Sequence, residues 1–208
     1  NYDFSKRMFQ LGLDHCSDGE AKLLAAGGLG VGRKPKLSTL EGLVTASAHT
    51  EWGSLALLRT HWTRMAAKLM VSYEGSGFDC HLDTFKTVLK GHWDLRIDKD
   101  GKNLSPEGDW GMVCWHDDDD GIYLELERNY SNGCKVQRQI FLGSEDAILY
   151  CGDAVFFDEA CEWDYRSSLP LADGVELIPA EESREAHLVH HDINGATTNL
   201  GLVIPLSL

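Results

Sequence analysis

Basic residues are scarce in this chain, and long apolar runs are missing. Its 208 residues hold 19 Lys and Arg against 33 Asp and Glu, which gives a formal net charge of −14. Affinity for nucleic acid comes from Lys and Arg side chains that neutralise phosphates, so we expect no nucleic-acid partner. The sequence has no run of about 20 apolar residues, the length that spans a bilayer. We therefore expect no membrane-spanning segment and no membrane partner.

The motifs of several common enzyme sites are also missing from the sequence. It has no Gly-x-Ser-x-Gly nucleophile elbow, no Cys-x-x-Cys pair and no Gly-Lys-Ser/Thr phosphate loop. The glycine-rich stretch 28–34 follows no strand pattern, so we interpret it as a linker. The six cysteines fit buried free thiols, or disulfides if the chain is exported to an oxidising compartment. They are Cys16, Cys80, Cys114, Cys134, Cys151 and Cys161.

Alternating apolar and polar residues on both sides of Asn132-Gly133 predict a β-hairpin. Asn-Gly is the strongest short-range signal for a type I′ turn, because both central residues of that turn have positive φ. With these two residues as the whole loop, Glu127 faces Arg138 and Leu126 faces Gln139. This register predicts a cross-strand ion pair between Glu127 and Arg138, worth about 0.2–1 kcal/mol.

Runs of strand length separated by turn signals fill the chain from residue 50 onward. Many short strands with few helices predict packed antiparallel sheets, so we expect an all-β antiparallel β-sandwich over residues 50–208. The residue pattern in 1–49 predicts a short helical segment followed by a linker. We expect turns at Lys90-Gly91 and at Asp158-Glu159, the second joining two paired strands. The expected strands are 54–59, 68–73, 78–89, 93–98, 122–128, 135–142, 147–157, 161–171, 175–178, 186–190 and 200–206.

Two groups of residues suggest a function but also have an ordinary structural explanation. The acidic run Asp117–Asp120 suggests a cation site, but successive aspartates on an extended chain point to opposite sides. We therefore expect a solvated loop there. The tryptophans either stack on sugar rings or fill the core as large apolar side chains, and we expect the core. They are Trp52, Trp62, Trp93, Trp110, Trp115 and Trp163.

One strand carries a candidate metal site. Asp79, His81 and Asp83 alternate along the chain and therefore share one face of the strand. If the chain reverses at Lys90-Gly91, Asp98 returns close to His81. Imidazole and carboxylate ligands suit zinc or manganese, so His81 and Asp98 are our candidate ligands for zinc or another divalent metal. The alternative is ordinary polar alternation on a half-exposed strand.

The same region resembles a known family. The stretch Arg59-Thr60-His61-Trp62, the strand 68–73 and the stretch 81–85 are similar to the opening of the C-terminal β-sandwich of heparinase II/III-type polysaccharide lyases. In that family a His-x-His-x-Asp stretch precedes a hairpin whose returning strand ends in an aspartate, the position of Asp98 here. The stretches 137–142 and 149–155 resemble two later strands of that domain. The similarity covers residues 50 to 170 approximately.

The resemblance implies a supersandwich-like domain that binds or cleaves acidic polysaccharide in the periplasm or outside the cell. It implies a metal-site role for His81 and Asp98, with Asp83 as a further site candidate. It also makes Arg59 and His61 candidates for catalysis or for contact with an anionic sugar.

Two features depart from the family pattern. Asp79 stands where the family has its first histidine, and the α/α-toroid that supplies the catalytic tyrosine there is reduced at most to residues 1–49. A lyase needs both neutralisation of a uronate carboxylate and a base for the C5 proton. Because the chain opens with Asn1 rather than Met, we expect a processed chain or an excerpt. Its expected protein partners are an upstream helical domain or a second copy of itself.

Two functions stay open at this point. The first is the sandwich portion of a heparinase II/III-like protein that acts on or binds acidic polysaccharide, with or without activity of its own. The second is a non-enzymatic carbohydrate-binding or structural β-sandwich module, in which the candidate site residues are exposed polar positions. The sequence leaves open whether the chain is an enzyme.

Overall fold

The computed structural model describes residues 46–61, 66–145, 148–181 and 183–206. The strands all belong to one compact unit, Ser47–Thr60 with Met65–Leu208, and a second unit comprises Asn1–Ala46 with His61–Arg64. The helical pattern expected before residue 46 lies outside the described residues. The described residues form no helix, and so none that is long and apolar enough to cross a membrane.

Fifteen strands make up the described part of the chain, and all their pairings are antiparallel. They are β1 Ala48–Thr50, β2 Leu55–Arg59, β3 Lys68–Ser72, β4 Asp79–Asp83, β5 Thr87–His92, β6 Asp94–Lys99, β7 Lys102–Asn103, β8 Pro106–Asp117, β9 Gly121–Tyr130, β10 Cys134–Gly143, β11 Leu149–Phe157, β12 Trp163–Ser168, β13 Val175–Pro179, β14 Ala186–His191 and β15 Thr197–Val203. The expectation of an all-β antiparallel fold is confirmed.

The strands form four sheets, and none of the four is closed in the described residues. A five-stranded sheet has the order β1-β2-β3-β4-β5, and a four-stranded sheet has the order β11-β10-β9-β8. Two three-stranded sheets have the orders β12-β6-β7 and β13-β14-β15. Most neighbours in the sheets are also neighbours in sequence, as is usual for hairpin-connected strands.

The two larger sheets share one hydrophobic core. In β9 and β10 every second side chain is buried, as a pleated strand with one covered face requires. Leu58 and Leu69 of the five-stranded sheet belong to the same cluster as Leu124, Leu126 and Ile140 of the four-stranded sheet. Each fully buried leucine or isoleucine contributes about 1.5–3 kcal/mol relative to exposure.

The central hairpin forms as predicted, but its register differs by one residue. Asn132-Gly133 have the positive φ values that the turn signal demands, 62° and 68°. The loop, however, is the three residues 131–133, so Arg138 faces Leu126 and not Glu127. A slip of one residue exchanges the two faces of a strand. The predicted Glu127–Arg138 ion pair is therefore wrong, and Arg138 points into the core.

Two other predicted hairpins are wrong. Lys90-Gly91 lies inside β5, and the chain reverses earlier, between β4 and β5 at residues 84–86. Gly91 has a φ of 132°, a conformation that favours glycine, so this glycine serves an unusual backbone conformation inside a strand and not a turn. The strands on either side of Asp158-Glu159 do not pair with each other, because β12 pairs with β6 instead.

The longest strand, β8, was not predicted from the sequence. It begins at Pro106 and contains Gly108 and Gly111, residues that normally weaken a strand assignment. The structure accommodates them through two register shifts against β9. Gly108 has a φ of 82°, a conformation typical of bulges. Bulged edge strands lack the regular alternation by which a strand is recognised.

Candidate functional site

A fully buried arginine lies at the centre of the four-stranded sheet. The side chain of Arg138 is 0% exposed, and its guanidinium is held by the equally buried carboxylate of Asp153. Nε donates to Oδ1 of Asp153 at 2.7 Å, and Nη2 donates to Oδ2 at 2.9 Å. Nη1 donates to the carbonyl oxygen of Trp93 at 3.2 Å. This bidentate pair uses both oxygens of the carboxylate.

Three aromatic rings surround the Arg138 guanidinium. Its Cζ lies 3.9 Å from the ring centroid of Trp93, 4.5 Å from that of Phe78 and 5.2 Å from that of Trp110. Phe78 meets both indoles edge-on. The negative faces of such rings attract a cation within about 6 Å. The rings and Asp153 together therefore stabilise a charge that water cannot reach.

Strand β12 completes this buried network. Tyr165 Oη donates to Oδ2 of Asp153 at 2.7 Å, and Trp93 Nε1 donates to Oγ of Ser167 at 2.6 Å. Burial, together with the negative charge of Asp153, raises the pKa of Tyr165. The phenol is therefore a permanent donor to the carboxylate. The network joins β10, β11 and β12 to Trp93, the residue between β5 and β6. Its burial indicates a structural role in the core.

A second inward-facing arginine, Arg128 of β9, has no acidic partner. It is 5% exposed, and no carboxylate of the described residues lies within ion-pair distance of it. Nε donates to the carbonyl oxygen of Gly108 at 2.9 Å, and Nη1 donates to that of Ser76 at 3.1 Å. Nη2 donates to none of the described residues. It is also not a buried unpartnered atom, so it keeps contact with solvent.

Arg128 lines a cavity of about 240 Å³, which we call the arginine pocket. Typical pockets for drug-sized ligands measure about 300–1,000 Å³, so this space suits a single sugar-sized group. The guanidinium of Arg128 lies 5.8 Å from the ring centroids of both Trp110 and Tyr130. The polar and aromatic lining includes Arg96, Asn103, Trp110, Arg128 and Tyr130, with His92 and Asp94. Phe78, Trp93 and Arg138 of the buried network also line it.

The predicted metal-site residues lie on the five-stranded sheet and in β6. His81 Nε2 and Asp83 Oδ1 are 3.0 Å apart. The carboxylate of Asp83 also binds Lys68 Nζ at 3.0 Å and accepts from Thr87 Oγ1 at 2.7 Å. Burial raises the pKa of Asp83, but the hydrogen bonds from Thr87, Lys68 and His81 outweigh it and leave that pKa below its usual value. Asp83 and His81 thus form a compact polar group.

Asp98, the other predicted ligand, does not join this group. Its carboxylate accepts from Nε and Nη2 of Arg96 at 2.8 and 3.1 Å. It makes no hydrogen bond or ion pair with His81, and the chain reversal at Lys90-Gly91 that was to bring them together does not exist. The part of the chain that the structure describes holds no group of three or more His, Cys, Asp or Glu arranged for a metal ion. A metal role for His81 and Asp98 stays a prediction.

The two residues proposed for catalysis or sugar contact lie at the end of β2. Arg59 is half-buried and faces Lys68 of β3, and burial lowers its pKa. His61 is exposed and belongs to the second unit of the chain. Their roles stay predictions.

The tryptophans and the acidic run follow the structural expectation only in part. Trp93 and Trp110 are buried in the core, whereas Trp52 is 98% exposed and Trp163 is 43% exposed. Trp62 lies outside the described residues. The acidic run is exposed, and the Asp118 carboxylate accepts from the backbone amides at 120 and 121.

A cluster of His49, Tyr73 and Trp115 connects the edge strands of the two larger sheets, β1 and β8. The imidazole of His49 in β1 is stacked between Tyr73 and Trp115, with ring centroids 6.1 and 5.3 Å away. Its Nε2 lies 2.8 Å from Oη of Tyr73. Burial lowers the pKa of His49, with Glu51 opposing the change. Beside it, Ser47 Oγ donates to the carboxylate of Asp117.

Neither buried arginine was recognised from the sequence, although a signal for both exists. In β9 the buried residues Ile122, Leu124 and Leu126 are followed at the same spacing by Arg128, which places its side chain on the inner face. Arg138 has the same parity in β10. An arginine that continues an apolar alternation is therefore a candidate for a buried cation.

Comparisons of the chain with protein-family models, with curated proteins and with solved structures found no match. The resemblance to heparinase II/III-type lyases therefore remains a hypothesis, and the function must be argued from the geometry alone.

Proposed function

We propose that this unit is a β-sandwich that binds an acidic polysaccharide, and that Arg128 in the arginine pocket holds an acid group of the glycan. The shared core of the five-stranded and four-stranded sheets supports the sandwich arrangement. The single observation that carries the ligand class is that Arg128 has no carboxylate partner among the residues that the structure describes. The resemblance to heparinase II/III-type lyases points to the same class of ligand.

A buried charge without a counterion is costly to a fold. Removing an ion from water carries a penalty of several kcal/mol unless a partner compensates for it. Arg138 obeys this rule, because Asp153 neutralises it at 2.7 and 2.9 Å. Arg128 is almost as buried, but its guanidinium binds two neutral carbonyl oxygens and lies near the rings of Trp110 and Tyr130, with no carboxylate among the described residues to neutralise it. An anionic ligand in the pocket would supply the missing charge.

Guanidinium geometry favours a planar acid group. The fork of N–H donors on an arginine matches a carboxylate in a bidentate manner. Nη2 of Arg128 is the donor left over for such a ligand, and the exposed Asn103 adds an amide at the rim. Asp94 also lines the pocket, so its entrance is not uniformly basic. A single carboxylate fits this balance better than a dense cluster of sulfates.

The net charge of the whole chain favours a glycan of low charge density over a heavily sulfated one. A formal charge of −14 repels polyanions at long range. A glycan with at most one carboxylate per sugar meets less repulsion than a heavily sulfated one. We therefore propose a uronic-acid polysaccharide as the ligand, and binding without cleavage as the role of this chain by itself.

Affinity gel electrophoresis with polygalacturonate, alginate, hyaluronan and heparin tests the proposal. The wild-type protein should be retarded by at least one uronate polymer more strongly than by heparin. Arg128→Met should weaken that binding about tenfold or more, the scale of a lost charged hydrogen bond. Arg128→Lys should retain part of it. Arg184→Gln removes an exposed arginine outside the pocket and should leave binding unchanged.

A ligand-side control avoids relying on a variant that fails to fold. Methyl-esterified pectin has the backbone of polygalacturonate without most of its charge, so the wild-type protein should bind it much more weakly. Equal binding of both polymers, or no binding of any uronate polymer, would overturn the proposal. A rise in ultraviolet absorbance during incubation would show cleavage and replace binding by lyase activity.

A further inference from the structure

The four-stranded sheet has a polar and aromatic outer face, opposite to the core. These side chains alternate with the buried ones and are all partly accessible. The register places Phe141 directly between Tyr123 on one side and Tyr150 on the other. On β9, β10 and β11 the outer face consists of Tyr123, Glu125, Glu127 and Asn129 of β9, Lys135, Gln137, Gln139 and Phe141 of β10, and Tyr150, Gly152, Ala154 and Phe156 of β11.

Two aromatic rings on this face cover glycines. A Cβ atom built on Gly121 would lie 2.6 Å from ring atoms of Phe141, and one built on Gly152 would lie 2.8 Å from Cζ of Tyr150. Each ring therefore occupies the space above a residue that has no side chain. Phe141 and Tyr150 are cross-strand partners, so their side chains leave the outer face side by side. The Phe141 ring leans over Gly121 of β9, and the Tyr150 ring leans over Gly152 of β11. We call this pair the aromatic platform.

Oriented amide and carboxylate groups lie next to the platform. Gln139 is the cross-strand partner of Glu125, whose Oε2 accepts from Oη of Tyr123 at 2.5 Å. One step further along, Gln137 Nε2 donates to Glu127 at 2.9 Å. These contacts fix the carboxylates and leave further oxygen lone pairs for hydroxyl donors.

We propose that the aromatic platform binds a segment of neutral polysaccharide, with sugar rings lying on Tyr150 and on Phe141 and their hydroxyls on Gln139 and Glu125. The site is separate from the arginine pocket, which uses the opposite face of the sheet, and does not rest on the function proposed above. Planar rings beside amide and carboxylate groups match the apolar faces and hydroxyl edges of sugars.

The charged residues of the outer face indicate which class of ligand it would bind. Glu125 and Glu127 outnumber Lys135, so the surface repels an anionic sugar. A protein partner also fits poorly, because the cores of protein interfaces are depleted of charged residues. In this face the charged side chains lie directly beside the rings. A neutral glycan is the occupant that agrees with both observations.

Affinity gel electrophoresis with neutral polymers tests the site. A panel of xylan, mannan, galactan and mixed-linkage glucan should include at least one that retards the wild-type protein. Tyr150→Ala should weaken this binding about 2- to 10-fold, the energy of one aromatic contact, whereas Tyr150→Phe should retain it. Gly152→Ala should also weaken binding, because the new methyl group displaces the ring.

Matched controls separate this site from the other features of the molecule. Phe85→Ala removes a ring that is 50% exposed on the turn after β4 and should have no effect. Arg128→Met should weaken uronate binding and leave neutral-glycan binding intact, so the two proposals fail or succeed separately. Thermal unfolding of each variant checks that the fold persists.

Three results would overturn the platform proposal. The first is that no neutral polymer retards the wild-type protein. The second is that Tyr150→Ala lowers only thermal stability, which would mean that the rings merely shield the glycines. The third is that Tyr150→Ala lowers the molecular mass in light scattering, which would assign the face to a second copy of the chain.

Discussion

Removing the charge of Asp153 should reveal how much the fold depends on the buried ion pair. Asp153→Asn keeps the size of the side chain but leaves the Arg138 guanidinium without its counterion. Breaking a buried pair in this way costs about 3–5 kcal/mol. The rings of Trp93 and Phe78, at 3.9 and 4.5 Å, partly compensate for the charge. We therefore expect the lower end, about 3 kcal/mol.

Urea denaturation followed by tryptophan fluorescence measures this loss. With an m-value of about 2 kcal/mol/M, a loss of about 3 kcal/mol lowers the midpoint by roughly 1.5 M. Asp164→Asn is the matched control, because Asp164 is exposed on β12. Such surface changes stay within about 0.5 kcal/mol.

A double variant tests the electrostatic explanation itself. Arg138→Met with Asp153→Leu replaces both charges by apolar side chains, a change that is often neutral in buried pairs. Tyr165 loses its acceptor, which costs about 1–3 kcal/mol. The double variant should nevertheless be more stable than Asp153→Asn alone. A single variant that loses less than about 1 kcal/mol, or a double variant less stable than it, would refute the reasoning.

Two further predictions concern the edge of the core and the central turn. Because burial lowers the pKa of His49, the unfolded chain takes up the proton first, so stability should fall as the pH drops below about 6.5. As the pH is lowered from 8 to 5, the melting temperature of His49→Phe should fall less steeply than that of the wild-type protein. Parallel curves for the two proteins would contradict this. Gly133→Ala should cost about 1–2 kcal/mol in urea denaturation, because φ is 68° there and the new Cβ lies 3.3 Å from Cγ of Asp158. Gly111→Ala, with no positive φ, is its control and should cost less.

The sequence predicted where the strands lie better than it predicted which strands pair and in which register. Alternation along 122–128 and 135–142 identified β9 and β10, because a strand with one covered face must alternate. The register between them depends on whether residue 131 joins the loop, which local propensity does not decide. The partner of β12 lies more than sixty residues away in β6. Such a pairing is set by packing of the whole chain.

In the candidate sites, too, contacts between residues close in sequence were predictable and contacts between distant residues were not. His81 and Asp83 share a strand face, and their contact follows from a spacing of two residues. The contact expected between His81 and Asp98 required a turn that does not exist, so the spacing alone was misleading. Arg128 was overlooked because its importance depends on whether a carboxylate lies near it, which the sequence does not show. Only the folded chain shows that no carboxylate of the described residues pairs with it.

The amino-acid order alone determined that the chain makes many short antiparallel strands, because alternation and turn residues act over a few residues. It also determined the acidic balance that disfavours nucleic acid as a partner. The tertiary structure decided that Asp153 neutralises Arg138, that Arg128 binds backbone carbonyl oxygens, and which rings lie over glycines. Those properties depend on distances between strands remote in sequence, and such distances are fixed only when the sheets pack together.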